Sequence, residues 1–217
     1  MSAARTGAAS PDRLSTFDAQ AFQDATGVSR ETLDRLTAHA DLLRKWQRAI
    51  NLVGRATLPD LWRRHMYDSA QLLPLAPAGA GPWLDLGSGA GFPGLVLAIM
   101  GARGVHLVES DARKAAFLRE AARITNTGVT LHIARIENVT PFPAAVVTAR
   151  ALAPLPRLLE LAAPFLASDS VALFPKGQDV EIELTEAAKY WNMRAERQPS
   201  LTDSSGVLLR LTEVSRA

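Results

Sequence analysis

The feature that most constrains the fold is a glycine-rich segment between a predicted strand and a predicted helix. Its ten residues read Asp85-Leu86-Gly87-Ser88-Gly89-Ala90-Gly91-Phe92-Pro93-Gly94. The apolar run 83–86 leads into the glycines, and a second apolar run, 91–100, follows them. Glycine adopts positive φ readily and lets a ligand approach the backbone, so this strand–loop–helix arrangement is typical of nucleotide-binding α/β folds. The segment predicts a ligand site where the first strand ends.

A carboxylate stands at the end of the next predicted strand. Glu109 closes the run 105–109, which is apolar apart from His106. Successive parallel strands bring their carboxyl ends to the same edge of a sheet, so Glu109 is expected beside the glycine segment. A carboxylate there can accept hydrogen bonds from both hydroxyls of an adenosine ribose. Glu109 therefore predicts a ligand that contains adenosine, but it does not distinguish one such ligand from another.

The glycines fit two known binding loops in different registers. Gly89, Gly91 and Gly94 match the dinucleotide fingerprint of nicotinamide enzymes. Gly87, Gly89 and Gly91, led by Asp85, match better the loop of methyltransferases, in which an acid precedes alternating glycines. In that second register Asp85 sits where it can hold the amino acid part of the cofactor, directly or through water.

From Pro82 onward the sequence alternates between strand and helix patterns. Strands are predicted at 83–86, 105–109, 129–133, 145–149 and 171–174, with two closing strands near Arg194 and at 207–211. Helices are predicted between them at 91–100, after Asp111, at 155–166 and at 180–191. This alternation predicts an α/β fold, with a mainly parallel, seven-stranded, Rossmann-like sheet that carries helices on both faces.

The chain divides into three predicted segments. They are a flexible N-terminal tail at 1–28, a small helical extension at 29–81, and the ligand-binding domain at 82–217. Ser29 can cap the first helix of the extension, whose apolar positions recur at helical spacing. A second helix is predicted from about 58 to 73, before a run rich in glycine and proline.

Basic side chains crowd one part of this extension, although the formal net charge of the chain is only +2. Between residues 44 and 64 only Asp60 opposes six cations, which are Arg44, Lys45, Arg48, Arg55, Arg63 and Arg64. Such a patch suits a polyanionic partner. A solvated helix face produces the same pattern, so the charge alone leaves both interpretations open.

The composition excludes several kinds of site. The chain has no cysteine, so it can form no disulfide, thiolate metal site or cysteine nucleophile, and no metal site is predicted. No apolar run approaches the roughly 20 residues that a membrane span requires. Residues 1–16 lack the apolar core of a secretory signal. We therefore expect a cytoplasmic protein without a membrane partner, and we expect it to be monomeric.

A series of motifs, in order over about residues 42–180, extends beyond the glycine segment. They are Trp46 to Asn51-Leu52, Trp62-Arg63-Arg64-His65, Asp68-Ser69, Gly87 to Gly94, Arg113-Lys114, Phe117-Leu118-Arg119, Arg135-Ile136-Glu137, Arg150-Ala151 and Lys176-Gly177. In these motifs the sequence resembles the bacterial 16S rRNA guanine-N7 methyltransferase family, called RsmG, GidB or glucose-inhibited division protein B. The Phe-Pro-Gly extension and the Arg-His…Asp-Ser segment are far more specific than a generic glycine loop.

The resemblance implies a class I S-adenosylmethionine-dependent methyltransferase fold with S-adenosylmethionine as cofactor. The implied substrate is guanine 527 of 16S rRNA in the small ribosomal subunit. Together with the glycine loop, the resemblance gives a cofactor set of Asp85, Gly87, Gly89, Phe92, Glu109, Ile136, Glu137 and Arg150. It implies catalytic roles for Asn51, His65, Arg150 and Lys176. With the basic segment, it indicates RNA contacts by Arg44, Arg48, Arg64, His65 and Lys176.

Transfer to guanine N7 needs no general base, because this nitrogen carries a lone pair and no proton. Alignment of donor and acceptor is then the main requirement. Cytosine-C5 enzymes need a cysteine, which is absent here. Exocyclic-amine enzymes typically carry an Asn/Asp-Pro-Pro-aromatic loop after the fourth strand, where this chain reads Thr148-Ala149-Arg150-Ala151-Leu152.

Several of these residues also have purely structural interpretations. Arg150 can pair with Glu137, His65 can pair with Asp68 along a helix, and Asn51 can cap one. Trp46 and Trp62 are expected to anchor the extension to the domain rather than to stack on bases.

Three other hypotheses compete for the function of the whole chain. One is a methyltransferase of the same fold that acts on another RNA, a protein or a small molecule. Another is a nicotinamide-dependent oxidoreductase, for which the chain lacks a convincing second mononucleotide half. The third is a non-catalytic RNA-binding factor, which the intact segment from Asp85 to Gly94 argues against.

Overall fold

The structure is a computed structural model that describes residues 17–217. Two helices open it, α1 (Ala19–Thr26) and α2 (Arg30–Trp46). The predicted N-cap of α2 is confirmed, because Ser29 Oγ accepts a hydrogen bond from the backbone N–H of Thr32 at 3.1 Å. Gly27 ends α1 with a φ of 67° and turns the chain into α2.

A seven-stranded sheet with the order β3-β2-β1-β4-β5-β7-β6 forms the centre of the molecule. Its strands are β1 (Trp83–Leu86), β2 (Val105–Glu109), β3 (Val129–Ile133), β4 (Ala144–Ala149), β5 (Leu166–Lys176), β6 (Trp191–Pro199) and β7 (Val207–Arg216). The first five run parallel, and β7 lies antiparallel between β5 and β6. The strand order reverses at β1, and ligands of such sheets bind at the carboxyl ends beside this reversal.

Helices bury both faces of the sheet. The domain helices are α4 (Gly94–Ile99), α5 (Ala112–Ile124), α6 (Leu155–Ala162) and α7 (Val180–Ala187), and a single turn, α3 (Asp68–Ala70), precedes the sheet. One core lies under α2, α4 and α5, where Leu36 and Phe117 are fully buried. The other lies under α6 and α7 and contains Phe165 and Phe174.

The helical extension is part of the first core rather than a loose appendage. Trp62 is buried with its ring centroid 5.4 Å from that of Phe22, and Trp46 packs edge-on against Phe117 at 5.7 Å. Arg35 on α2 donates from Nε to the carbonyl of Thr125 at 2.6 Å, just beyond the end of α5. The expectation that both tryptophans are core anchors is confirmed.

Two predictions for the extension were wrong. Helix α1, with Phe22 fully buried, lies inside the predicted tail 1–28, of which residues 1–16 are outside the described part. The predicted helix at 58–73 is broken into a 3₁₀ turn (Leu58–Asp60), a π-helical turn (Trp62–Tyr67) and α3, with a further 3₁₀ turn at Leu73–Leu75. In the π-helical turn the N–H of Asp68 donates to the carbonyl of Arg63, five residues back.

The elements of the domain are where the sequence predicts them, with different ends. Helix α4 begins only at Gly94, because Gly91 to Pro93 belong to the turn that follows β1. Helix α6 gives way to a 3₁₀ turn at Ala163–Phe165, and α7 ends at Ala187, since Trp191 begins β6. Between residues 17 and 217, no helix combines the length and the apolar character that crossing a membrane would take.

Candidate active site

The glycine segment forms a tight turn at the carboxyl end of β1. Gly87, Gly89 and Gly91 have φ values of 70°, 54° and 87°, which side chains other than glycine adopt at a cost. A Cβ at Gly87 would stand 2.8 Å from a methyl of Leu152, and one at Gly91 would stand 2.7 Å from Cβ of Leu95. At Gly89 the nearest atom would be 3.8 Å away. The turn therefore packs closely at two glycines and leaves open space at the middle one.

Glu109 ends β2 directly beside this turn, as the sequence predicts. Its carboxylate accepts the backbone N–H of Gly89 at 2.9 Å and that of Asp111 at 2.7 Å. Each carboxylate oxygen has two acceptor positions, so both oxygens keep capacity for a further donor. Glu109 also lines the adjoining cavity, which makes its carboxylate available to ribose hydroxyls.

Asp85 lies beneath the turn, in the interior of the sheet. One oxygen, Oδ1, accepts the hydroxyl proton of Thr148 at 2.7 Å, and Oδ2 has no hydrogen-bond partner among the described residues. Burial raises the pKa of this carboxyl to about 6, and the hydrogen bond from Thr148, which lowers the pKa, offsets only part of this effect. A Cβ at Gly94 would stand 2.6 Å from Cβ of Asp85, so Gly94 allows α4 to approach β1 this closely.

A cavity of about 470 Å³ opens in front of the turn. Six of the eight residues in the predicted cofactor set line it, namely Gly87, Gly89, Glu109, Ile136, Glu137 and Arg150. A carboxylate with free acceptor capacity, accessible glycine backbone and an unpartnered carboxylate oxygen behind the turn are features that fit an adenosylated amino acid. These donors and acceptors therefore suit S-adenosylmethionine.

Phe92, another member of that set, lies behind the turn rather than on the cavity wall. Its ring centroid is 5.2 Å from that of His39 and 5.0 Å from that of His65. The guanidinium carbon of Arg150 stands 5.3 Å from the same ring, within cation–π range. Phe92 therefore packs against two histidines and an arginine and does not line the cavity itself.

Arg150 follows β4 and joins several groups of the extension. Its Nη1 donates to the carbonyl of Arg64 at 3.0 Å and to Oδ2 of Asp68 at 3.2 Å, and its Nη2 lies 2.7 Å from Nδ1 of His65. Its side chain is only 18% exposed. Glu137 pairs instead with Arg157 at 2.6 Å, so the alternative pairing of Arg150 with Glu137 is wrong.

The hydrogen bonds of His65 define its protonation. Arginine can only donate, so Nδ1 of His65 accepts from Arg150 and the ring proton is on Nε2. This nitrogen is 2.8 Å from Oγ1 of Thr57, whose hydroxyl donates to the carbonyl of Gly54 at 2.9 Å. Burial, with the nearby charges of Arg150 and Arg64, lowers the pKa of His65 to about 3. His65 is therefore neutral, and it makes no hydrogen bond to Asp68.

A second cavity, of about 440 Å³, adjoins the first. Four of the predicted catalytic or RNA-binding residues line it, which are Arg64, His65, Arg150 and Lys176. Arg150 and Ala151 line both cavities. Ala151 has a φ of 51°, a left-handed conformation that is uncommon for alanine and that clusters at functional sites. The two cavities thus meet at this pair of residues.

Lys176 is held at the far wall of the second cavity. Its Nζ lies 2.5 Å from Oε2 of Glu183 and donates to the carbonyl of Ala153 at 3.2 Å, with the side chain 9% exposed. The same carboxylate oxygen accepts the backbone N–H of Leu155 at the start of α6. Lys176 is thus the last residue of β5 rather than a residue that follows it, and its charge is paired within the chain.

The predicted RNA-binding residues do not converge on one place. Arg64 pairs with Asp203 at 2.8 Å, which lowers the pKa of that carboxyl to about 2, and Arg44 pairs with Asp41 on the surface. Arg48 lies together with Asn51 at a third cavity, outside the cleft of the other predicted catalytic residues. Asn51 is exposed and caps no helix among the described elements.

Several residues of the site were not predicted. Thr57, Glu183 and Asp203 hold predicted residues through side-chain contacts, and no local pattern marks them. Asp68 belongs to a motif of the sequence, but its partner is Arg150 and not His65. His39 is different, because it falls on the buried stripe of α2 that Leu36, Ala40 and Leu43 define. Its Nε2 lies 2.9 Å from the carbonyl of Ala90, so it holds the glycine turn from behind.

The sequence of the chain matches the model of a known protein family. The model described as rRNA small subunit methyltransferase G matches residues 32–209. The chain is 64% identical over 191 residues to the ribosomal RNA small subunit methyltransferase G of Paramagnetospirillum magneticum, covering 88% of this chain and 93% of that protein. For the protein of the same name from Rhodospirillum centenum the identity is 59% over 200 residues, covering 92% and 93%.

Solved structures resemble the chain at low identity. A ribosomal protein L11 methylase from Lactobacillus delbrueckii subsp. bulgaricus superposes with a TM-score of 0.56 at 16% identity, over 67% of this chain and 76% of that one. A TehB-like SAM-dependent methyltransferase from Corynebacterium glutamicum gives 0.55 at 17% identity, over 82% and 99%. These structures share the Rossmann-like methyltransferase fold that the sequence predicts.

Proposed function

Because the chain belongs to the rRNA small subunit methyltransferase G family, we propose that it methylates N7 of guanine 527 in 16S rRNA. Membership identifies the chain as an S-adenosylmethionine-dependent methyltransferase, and the names of its relatives specify small-subunit rRNA as their substrate. The particular guanine and its N7 atom are the proposal. The cytoplasm, where ribosomal subunits are assembled, is the compartment that this function implies.

The observation that carries the proposal is the meeting of two cavities at Arg150 and Ala151. The first contains the groups that suit the cofactor, and the second is large enough for a base and is bordered by cations. Methyl transfer requires donor and acceptor in line and in contact, which a shared wall of two residues permits.

Glu109, the glycine turn and Asp85 would hold the cofactor, which supplies an electrophilic methyl group on sulfur. Glu109 has acceptor capacity for the ribose hydroxyls, and Gly89 leaves space at the turn. Asp85 is assigned to the amino group, directly or through water; its unpartnered Oδ2 is buried behind the turn, and Asp85 itself does not line the cavity. Arg150 is expected to contact the cofactor at the boundary of the two cavities, while Ile136 and Glu137 flank the adenine.

The chemistry of the second cavity agrees with an acceptor that brings no proton to remove. Among residues 17–217, His65 is the only histidine in its wall, and Nδ1, its basic nitrogen, already accepts from Arg150. The pKa of about 3 makes this ring a poor general base near neutral pH. Guanine N7 needs no base, whereas an alcohol or ammonium acceptor would. We assign His65 and Arg150 to positioning at the junction, and Lys176 to the wall that faces the RNA.

The test is methylation of small ribosomal subunits from a strain that lacks the enzyme. The protein is incubated with these subunits and tritiated S-adenosylmethionine, and borohydride–aniline cleavage then maps 7-methylguanine. We expect label at a single guanine of the decoding-region loop, and its loss in the Arg150→Ala variant. Incorporation at an exocyclic amine, or into a small molecule only, would contradict the proposal and favour another acceptor for the same fold.

A further inference from the structure

A third cavity, of about 430 Å³, lies between the end of α2 and the start of α5. It is separate from the two cavities described above and is lined almost entirely by polar atoms. Four cationic side chains border it, which are Arg48, Arg55, Arg113 and Lys114, together with the amide of Asn51. Arg48 was predicted as an RNA-binding residue and Asn51 as a catalytic one, and the structure brings the two together here.

The positive charge of this cavity is poorly neutralised. Its one carboxylate belongs to Asp111, whose Oδ1 accepts the backbone N–H groups of Arg113 and Lys114 at 2.8 and 3.1 Å. The other oxygen is 3.9 Å from Nη2 of Arg113, which is too long for a hydrogen bond. Between residues 17 and 217, no carboxylate pairs with Arg48, Arg55 or Lys114, unlike Arg64, which has Asp203.

The side chain of Gln47 holds the loop that carries Asn51 and Arg55. Oε1 of Gln47 accepts the backbone N–H groups of Leu52 and Val53 at 2.9 and 3.0 Å. Nε2 of Gln47 donates to the carbonyl of Val53 at 2.8 Å. Three hydrogen bonds thus hold the backbone of the loop, so the chain positions of Asn51 and Arg55 are set before any ligand arrives.

The cavity is close to both parts of the candidate active site. Lys114 also lines the cofactor cavity, and Gly54, three residues after Asn51, lines the second cavity. Three residues of extended chain span at most about 11 Å, so the loop separates the two spaces by no more than this. Neighbouring nucleotides of one RNA strand can therefore occupy them together.

We propose that this basic cavity binds a backbone phosphate of the RNA strand, next to the guanine that enters the second cavity. This inference rests on the proposed function and adds the group that fixes the strand. Guanidinium and ammonium groups are the preferred partners of phosphate, and an amide such as that of Asn51 can donate to a phosphate oxygen. Phosphate contacts of this kind set register without reading sequence.

The experiment measures methylation of small ribosomal subunits by Arg55→Gln and Arg113→Gln, with Arg103→Gln as matched control. Arg103 is also an exposed arginine, but it precedes β2 at the opposite edge of the sheet. For the two cavity variants we expect KM for subunits to rise about tenfold, with kcat and cofactor affinity nearly unchanged. The slope of log KM against log salt concentration should become shallower by about 1 for each lost phosphate contact.

Arg113→Lys provides a further control, because it keeps the charge and should retain the salt slope of the wild type. If the wild type methylates subunits and the cavity variants behave like Arg103→Gln, the phosphate site is wrong and the proposed function stands. If the wild type binds S-adenosylmethionine but never labels subunits, the proposed function fails, and this inference fails with it.

Discussion

The Nη2 nitrogen of Arg150 and the Nδ1 nitrogen of His65 lie 2.7 Å apart at the boundary of the first and second cavities. The same guanidinium holds Asp68 and the carbonyl of Arg64 through Nη1. One side chain, just beyond the end of β4, therefore fixes the π-helical turn of the extension against the site. Both residues line the second cavity, and Arg150 also lines the first.

Replacing Arg150 with lysine should reduce methylation strongly and lower stability. An ammonium cannot donate in fixed directions to His65, Asp68 and the carbonyl of Arg64 at once. We expect a loss in kcat of about 100-fold and a decrease in the free energy of unfolding of about 1–3 kcal/mol. Single-turnover methylation and urea unfolding measure the two effects. Arg123→Lys, at an exposed pair with Glu120, is the control and should change neither.

The two buried histidines should make the protein less stable as the solution becomes acidic. Burial lowers the pKa of His39 to about 4, and that of His65 is about 3. Both folded-state values lie below the ordinary 6.5, so the unfolded chain takes up protons first. The stability that neutral rings provide is complete above pH 6.5 and is lost as pH falls through 4 and 3.

The variant His39→Gln isolates this effect, because its amide can still donate to the carbonyl of Ala90. Proton uptake on unfolding near pH 5 should fall by about one relative to the wild type. The comparison between variants is needed since Asp85, with its raised pKa, changes stability in the opposite direction as pH rises through about 6. An identical pH dependence in His39→Gln and the wild type would show that His39 is not buried and neutral.

Cofactor binding should weaken below about pH 6 because of Asp85. Burial raises the pKa of this carboxyl to about 6, and only its ionised form can hold a cationic amino group. Below that value the affinity should fall about tenfold per pH unit. Calorimetric titration with S-adenosylmethionine across this range measures it. In Asp85→Asn the affinity should be low and independent of pH. A wild-type affinity that stays constant through pH 6 would show that Asp85 does not hold the cofactor.

Two glycines of the same segment should respond differently to alanine. At Gly94 a Cβ would stand 2.5 Å from a methyl of Leu107 and 2.6 Å from Asp85, so Gly94→Ala should destabilise the protein by about 1–3 kcal/mol or more. At Gly89 there is space, and the cost is mainly backbone strain of about 1–2 kcal/mol. Gly89→Ala should instead reduce cofactor affinity. Thermal unfolding and calorimetry separate the two, and equal effects of both substitutions on both quantities would contradict the assignment.

The strands, the glycine turn and Glu109 could be predicted because each depends on a short stretch of sequence. Apolar runs define β1 and β2, and the glycines fix the turn between β1 and α4. Once successive strands run parallel, the position of Glu109 beside Gly89 follows. The cap at Ser29 is local in the same way.

What could not be predicted depends on contacts between distant residues. Asp203, the partner of Arg64, lies in the loop between β6 and β7. Arg150 pairs with Asp68, although Glu137 is closer to it in the sequence. The π-helical turn breaks a segment whose apolar spacing indicates one α-helix, because packing against Phe22 and the contacts of Arg150 fix it there. Helix α1 was missed since it has few apolar residues, and Phe22 is buried through distant contacts with Trp62 and Tyr67 of that turn.

The shared wall at Arg150 and Ala151 also has a consequence for inhibitor design. With the occupants proposed above, a single compound would place an adenosine in the cavity of about 470 Å³ and a purine in that of about 440 Å³, joined by a short linker past Ala151. Joining the two fragments makes the second binding step intramolecular, so two modest affinities combine into a high one. Such a bisubstrate compound would be selective, because enzymes that share only the adenosine site cannot bind its other half.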